Sequence, residues 1–189
     1  MTHKTLSVLR AEHGVLLSIA RLLEAEALRT QRGEAPNLEF VSSMVEYLRD
    51  YPCKFHHPKE EELLFPALRK HGQGADAIAG LESEHAEEDA LIHALDVSAS
   101  SLSSSGTAEA ERLAFVTAAK SYARFLEGHV REEERHVFPL AEQLLSDEEW
   151  SRMDGAFGSH ADPLLRGEDE RFRRLRLHIE ALGLPPFGL

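Results

Sequence analysis

The sequence has little of what marks a secreted or membrane-spanning protein. Its single cysteine, Cys53, has no partner for an internal disulfide, which excludes a disulfide-stapled fold and favours a reducing compartment. No apolar run approaches the roughly 18 residues that a transmembrane helix needs. The first residues lack the apolar stretch of a signal peptide. We therefore expect a cytoplasmic protein with no membrane partner.

Positive charge is also scarce. The chain has 21 Lys and Arg residues against 33 Asp and Glu, a formal net charge of −12. Such a balance argues against nucleic acid and anionic membrane surfaces as partners. The sequence contains no glycine-rich phosphate loop, no nucleophile elbow and no zinc-type cysteine pair. The acidic residues and the 11 histidines are therefore the residues most informative about chemistry.

One histidine motif occurs twice at matched spacing. Each copy has a histidine, a glutamate four residues later and a Phe-Pro pair that starts five residues after the glutamate. The first copy is His56, Glu60 and Phe65-Pro66, and the second is His129, Glu133 and Phe138-Pro139. A Glu-His pair precedes each copy: His13 lies 43 residues before His56, and His85 lies 44 residues before His129. The chain is therefore built as two similar halves.

The repeated residues have the chemistry of a metal site. A histidine and a glutamate four residues apart lie on one face of a helix and can reach the same ion. A single such motif is explained better by solvated acids and scattered histidines, but its repetition at matched spacing argues against that alternative. The predicted metal ligands are His13, His56, Glu60, His85, His129 and Glu133.

This ligand set predicts two metal ions inside a helical bundle. Imidazole and carboxylate together suit iron, manganese or zinc better than calcium or magnesium. Four histidines and two glutamates exceed the three protein ligands that a catalytic zinc normally takes. They match two ions that share carboxylates, held by residues that project inward from facing helices. We expect two irons per chain, bridged by an oxo or hydroxo group, with manganese or zinc as alternatives.

Apolar residues at helical spacing predict an all-α fold. The pattern predicts four long helices, at about residues 5–30, 41–70, 75–97 and 109–145, and shorter helical segments near Trp150 and after Gly167. Pro52 and Pro58 each remove a backbone donor and should kink the second helix or break its hydrogen-bond ladder beside His56. We predict one domain over residues 1–189: a four-helix bundle at about 5–145 with a C-terminal helical extension at about 146–189.

Other residues compete for places at the site. His57 and Glu61 are also four residues apart, but the match between the halves selects His56 and Glu60. Glu133 and His136 form a Glu-x-x-His motif of the ferritin type, which the first half lacks, so His136 is expected beside the ligands.

Four further residues have less defined expectations. Glu88 and Asp89 follow His85 by three and four residues and can turn inward. Cys53 is expected to be a buried, structural thiol. His160 is a candidate extra ligand.

The repeated Glu-His and His-x-x-x-Glu…Phe-Pro pattern resembles the hemerythrin-like, or HHE cation-binding, family over roughly residues 6–145. The resemblance implies an up-and-down four-helix bundle with a non-haem di-iron centre. By position it implies that the four histidines are terminal ligands and that Glu60 and Glu133 bridge the two ions.

The resemblance also implies a function. Oxygen-carrying members have His-x-x-x-His on the third helix and His-x-x-x-x-Asp on the fourth, whereas this chain has Asp89 and Glu133 there. Its set is more similar to bacterial di-iron proteins implicated in the repair of damaged iron–sulfur centres, a stress response. We expect a protein that binds or senses O₂, NO or iron itself. The alternative is a di-iron enzyme or iron donor that acts on peroxide or NO or in cluster repair; catalytic residues and oligomeric state stay open.

Overall fold

The computed structural model describes residues 3–103, 107–156 and 170–183, and all regular structure within these ranges is helical. The elements, in chain order, are α1 (Lys4–Gln31), α2 (Leu38–Tyr51), α3 (His57–Lys59), α4 (Phe65–Arg69), α5 (Ala75–Ser100), α6 (Glu109–Glu132), α7 (Phe138–Leu144), α8 (Asp147–Ala156) and α9 (Glu170–Leu182). Three π-helical segments lie at Pro52–His56, Glu60–Leu64 and Glu133–Val137. The all-α prediction is confirmed.

Four rods form the bundle. The first rod is α1, and the second runs from α2 through two π-helical segments to α4. The third rod is α5, and the fourth runs from α6 through a π-helical segment to α7. We call the first two rods the first half and the last two the second half. The rods pack α1 on α2 and α6, and α5 on α2 and α6, so each half contacts the other.

The core consists of two apolar clusters separated by the polar residues of the repeat. Along α1, Leu9 belongs to one cluster, Leu16 belongs to the other, and His13 lies between them. Along α5, Leu81 and Ile92 flank His85 in the same way. The candidate ligands therefore lie at mid-height in the bundle, with apolar side chains packed above and below them.

Pro52 and Pro58 interrupt the α-helical hydrogen-bond ladder of the second rod, as predicted, but they do not end the rod. The backbone stays in the right-handed helical region on both sides of each segment, and Pro52 is the first residue of a π-helical segment. Proline lacks the N–H that an inner helical turn requires, so the ladder of hydrogen bonds changes at this point. His56 ends that π-helical segment and Glu60 begins the next one. Such π-helical turns are frequent at functional sites.

Helix α8 folds back onto the first rod. The Ser146 N–H donates to Glu149 Oε2 at 2.9 Å, and the Glu149 N–H donates to Ser146 Oγ at 3.3 Å, which caps the helix. The backbone N–H and hydroxyl of Thr5 both donate to Asp154 Oδ1, at 2.9 and 2.5 Å. Trp150 is buried against the apolar cluster at this end of the bundle.

Helix α9 packs on α2. Phe172 and Ile179 are buried, and the Phe172 ring contacts Tyr47 and Phe55 of the second rod. The Arg171 guanidinium donates to Glu46 Oε1 and Asp50 Oδ2, each at 2.7 Å. Arg171 therefore pairs with acidic residues of the second rod. No helix in the described ranges has the length and apolarity that a membrane span requires.

Candidate metal centre

The six residues that the repeat selects come together at the centre of the bundle. His13 projects from the first rod, His56 and Glu60 from the second, His85 from the third, and His129 and Glu133 from the fourth. All six side chains are buried, and Glu60 and Glu133 are 0% exposed. Sequence positions as far apart as 13 and 133 therefore meet because every rod turns its repeated residues inward.

The two glutamates lie between the histidines of the two halves. Glu60 Oε1 is 3.4 Å from the Nε2 atom of His56, and Glu60 Oε2 is 3.6 Å from the Nε2 atom of His85. Glu133 Oε2 is 3.0 Å from His13 Nε2, while Glu133 Oε1 is 3.6 Å from His129 Nε2. Each carboxylate thus presents one oxygen to each half.

Two overlapping groups of four donors follow from this arrangement, and the donor atoms of each group lie within 4.8 Å of one another. We call them subsite A, formed by His13, His56, Glu60 and Glu133, and subsite B, formed by His85, His129, Glu60 and Glu133. The two subsites share both glutamates. The geometry can therefore hold two cations joined by two carboxylates.

The donor atoms behave as those of a metal site. Both oxygens of Glu60, and the Nε2 atoms of His85 and His129, are buried and find no hydrogen-bond partner among the described residues. Buried polar atoms without partners cost free energy, so native proteins pair nearly all of them. Carboxylate oxygens and imidazole nitrogens aimed at one point fit a cation that supplies the missing partner.

A ring of outer glutamates holds the four imidazoles in place. Each of the four candidate ligand histidines donates its Nδ1–H to a glutamate carboxylate: His13 to Glu134 at 2.9 Å, His56 to Glu12 at 2.9 Å, His85 to Glu61 at 2.6 Å and His129 to Glu84 at 2.8 Å. Such a bond keeps the proton on Nδ1, leaves the Nε2 lone pair for a metal and raises the basicity of the ring.

These outer glutamates were not assigned a role from the sequence. Glu12 and Glu84 belong to the repeated Glu-His pairs, so a signal for them existed. Glu61 and Glu134 directly follow the shared glutamates and reach a histidine of the other half. Their contacts join rods that are distant in sequence, which local spacing does not reveal.

Burial and charge shift the pKa values at the centre strongly. Burial, together with the charge of Glu133, raises the pKa of Glu60 well above its usual value. Burial also raises the pKa of Glu133, but the His13 hydrogen bond and the charge of His129 outweigh it and lower that pKa to about 2. For His13, burial lowers the pKa, while Glu133 and Glu134 raise it to about 9. Cations that bind here must displace protons, so binding is coupled to pH.

His57 lies beside the centre. Its ring stacks on His85 with centroids 3.9 Å apart, and its Nε2 is 3.2 Å from Glu88 Oε2. The Tyr122 hydroxyl donates to Glu88 Oε1 at 2.7 Å. Burial lowers the pKa of His57, but hydrogen bonds with Cys53 and Glu88 raise it to about 9. His57 can also be grouped with His85 and His129 as a metal donor, although parallel rings do not converge on one ion.

Three expectations about neighbouring residues were wrong. Cys53 is exposed and donates to Asp89 at 3.7 Å, instead of being a buried thiol. Asp89 is exposed as well, whereas Glu88 is buried as expected. His136 does not lie beside the ligands: its side chain is 61% exposed and pairs with Glu132.

The π-helical segments explain the exposure of His136. A π-helical turn contains more residues than an α-helical turn, so the third residue after Glu133 moves off the inner face and the fourth moves onto it. Accordingly, Val137 is buried where His136 is not. The same holds after Glu60, where Leu64 is fully buried and Leu63 only partly. His160 lies outside the described residues.

A surface cavity of about 320 Å³ between the second and third rods reaches His85 of subsite B. Its lining combines the His57–His85 stack with acidic side chains and the Cys53 thiol. The acidic residues are Glu61, Glu82 and Asp89. The cavity therefore brings solvent close to the outer edge of one ligand histidine.

Comparison with known protein families agrees with this geometry. The family model described as the hemerythrin HHE cation binding domain matches residues 4–141. The matched range covers the four rods almost completely and contains all six candidate ligands. A comparison with curated proteins finds no significant match.

Proposed function

The chain belongs to the hemerythrin HHE cation binding domain family, and from this premise we propose that it holds two iron ions and uses them to bind or sense a small molecule. The candidate molecules are dioxygen, nitric oxide and peroxide. Iron itself is a further candidate, which the protein would sense by binding it at this site. His13 and His56 would hold one ion and His85 and His129 the other, with Glu60 and Glu133 shared.

One observation supports the proposal most directly. In each fully buried glutamate, Glu60 and Glu133, one carboxylate oxygen faces the first half and the other faces the second half. Glu60 approaches His56 with one oxygen and His85 with the other, at 3.4 and 3.6 Å. A carboxylate that served a single ion would not need this orientation. Two ions that share two carboxylates also explain why buried, unpartnered oxygens are tolerated in the core.

The donor set favours iron. Imidazole with carboxylate and open coordination positions is the environment of non-haem iron, with manganese or zinc as alternative occupants. When bound, the ions supply affinity and redox chemistry for a small diatomic molecule or peroxide. The chain supplies the rest: apolar clusters above and below keep the site dry, and the outer glutamates hold the histidine protons on Nδ1.

Anaerobic reconstitution with ferrous iron tests this function. We expect elemental analysis to find two irons per chain and the reduced protein to change its optical spectrum on exposure to O₂, NO or peroxide. One tightly held zinc, unaffected by His13→Ala, would overturn the two-iron centre. Binding without consumption supports the binding role, whereas many turnovers per chain with peroxide or NO would replace it by an enzymatic one.

A further inference from the structure

The two subsites differ in one residue that stands directly before each shared glutamate. Lys59 precedes Glu60 in the first half, and Glu132 precedes Glu133 in the second. Lys59 is 0% exposed and its ammonium group pairs with Glu12, which is also 0% exposed. Glu132, by contrast, keeps 44% of its side chain exposed. A lysine is rarely buried completely, so this position requires an explanation.

Lys59 is connected to subsite A through a short chain of contacts. Its Nζ pairs with Glu12 Oε1, and Glu12 Oε2 accepts the Nδ1–H of His56 at 2.9 Å. In subsite B the equivalent carboxylate is Glu84, which accepts the Nδ1–H of His129 at 2.8 Å. Glu84 is 37% exposed, and its ion pair among the described residues is with His129. A buried ammonium group therefore neutralises the charge of Glu12, the carboxylate that holds His56, whereas the equivalent Glu84 has no such buried cation among its described contacts.

This difference changes how strongly the histidines donate to a metal. A carboxylate on Nδ1–H raises the basicity of the imidazole and strengthens its bond to a cation. A buried ammonium group paired with the same carboxylate reduces this gain in basicity. It also places a positive charge near the ion, and the low dielectric of the protein interior strengthens the repulsion between the two. We propose that Lys59 is a positioning residue that weakens cation binding at subsite A, so that divalent cations fill subsite B first and exchange from subsite A.

The inference rests on the proposed two-ion centre and deepens it, because an unequal pair leaves one ion exchangeable. The inference also predicts the opposite change in cation affinity from a purely structural role for Lys59. If Lys59 only held Glu12 in place, its removal would distort His56 and loosen the cation of subsite A. If its charge weakens that subsite, its removal tightens the cation instead.

The experiment is an anaerobic titration of metal-free protein with Co²⁺, followed by calorimetry and by the visible absorption of the bound ion. We expect wild type to take up two ions in separate steps. His129→Ala should remove the tighter step and His56→Ala the weaker one, which assigns the steps to subsites B and A.

Four variants then test the role of the charge. Lys59→Met should tighten the weaker step about tenfold and leave the tighter step unchanged, since changes to the outer partners of ligand histidines alter metal affinity by about 10–100-fold. Glu12→Gln should loosen the weaker step, and Glu84→Gln, its matched control in the other half, should loosen the tighter one. Lys59→Met/Glu12→Gln removes both charges and should restore affinities near those of wild type.

The outcomes separate the two claims. Uptake of one ion by wild type overturns the two-ion centre and this inference with it. Uptake of two ions, with a weaker step that is unchanged or looser in folded Lys59→Met, overturns the inference alone. If Lys59→Met does not fold, the double variant decides: a weaker step as loose as in Glu12→Gln would show that the lysine charge has no effect on subsite A, whereas recovery supports the inference.

Discussion

The two halves of the bundle share their metal donors and differ in what surrounds them. Each half contributes two histidines, one shared glutamate and two outer glutamates, one of which holds a histidine of the other half. Behind these groups the equivalent positions differ: Lys59 corresponds to Glu132, and His57 corresponds to Val130. In the proposed two-ion centre, the donors are therefore the part of the repeat that both cations would require equally, and the neighbouring residues are the part that would make two subsites with the same donors behave differently.

The accessory helices add to this asymmetry. Helix α8 packs on α1, and α9 packs on α2, so both contact rods of the first half. The buried Lys59–Glu12 pair also belongs to the first half. Burial of charge is tolerated where surrounding structure shields it and supplies a partner. The second half keeps Glu84 and Glu132 near solvent, where water reduces the effect of their charge.

We expect the largest effect from a substitution that removes a donor shared by both subsites. Glu60→Ala deletes a donor of both subsites, so we expect loss of both ions, whereas His13→Ala should loosen subsite A alone. The native protein should also lose the stabilisation that metal gives, about 3 kcal/mol when the free metal is about a hundredfold above its Kd. Elemental analysis and thermal unfolding with and without metal measure this. Glu62→Ala, an exposed acid two residues on, is the control; a Glu60→Ala protein that retains both ions would contradict the shared role.

A second prediction compares equivalent outer carboxylates in the metal-free protein. Glu12→Ala leaves the fully buried Lys59 without its partner, which should lower the free energy of unfolding by about 3–5 kcal/mol. Glu84→Ala removes a side chain that is 37% exposed and should cost less than about 1 kcal/mol. Urea denaturation of both variants measures the difference. Equal losses would mean that the burial of charge in the first half has no energetic consequence.

A third prediction concerns Tyr122 of the fourth rod. The equivalent position in the second rod, seven residues before the repeated histidine, is Arg49. Tyr122→Phe removes the hydroxyl that donates to the buried Glu88 carboxylate and should lower the free energy of unfolding by about 1.5–3 kcal/mol. Arg49→Ala, at the equivalent position, breaks half-exposed ion pairs and should cost less than about 1 kcal/mol. Denaturant unfolding measures both, and a neutral Tyr122→Phe would show that Glu88 finds another donor.

The smallest effect is expected where α9 covers the first half. Asp50 accepts hydrogen bonds from Arg49, Lys54 and Arg171, which outweigh its burial and hold its pKa below the usual range. A carboxyl group with a lowered folded pKa stabilises the protein above its unfolded pKa of about 3.9 and loses that contribution as pH falls through the folded value. Asp50→Asn should therefore cost about 1 kcal/mol near neutral pH.

The pH dependence checks this assignment. The difference in Tm between wild type and Asp50→Asn should shrink steadily as the pH falls below about 5, because Asp50 of the unfolded chain takes up a proton there while the folded carboxylate, with its lowered pKa, stays ionised to lower pH. Asp96→Asn, which removes a more exposed partner of Arg49, is the control and should show a smaller difference throughout. A difference that stays constant with pH would show that the Asp50 charge does not stabilise α9 on the bundle.

Much of the architecture was predictable because helices encode their buried face in local spacing. Leu9, His13 and Leu16 recur at helical spacing in the sequence, and the structure buries all three on the inner face of α1. The fourth rod was predicted to end near residue 145 and ends at Leu144. The choice of His56 over His57 came from the repeat and not from spacing alone, since both histidines are buried. The six-residue ligand assignment stays a prediction that metal analysis tests.

Sequence spacing failed wherever a residue's environment depended on helical geometry or on another rod. It placed Cys53 and His136 inside, because an α-helical period was assumed across turns that are π-helical. It gave no indication that Lys59 would be fully buried or that Glu134 would hold His13 from 121 residues away. Local periodicity determines which face of a rod turns inward, but only the packing of four rods decides which charges meet there and which are shielded from water.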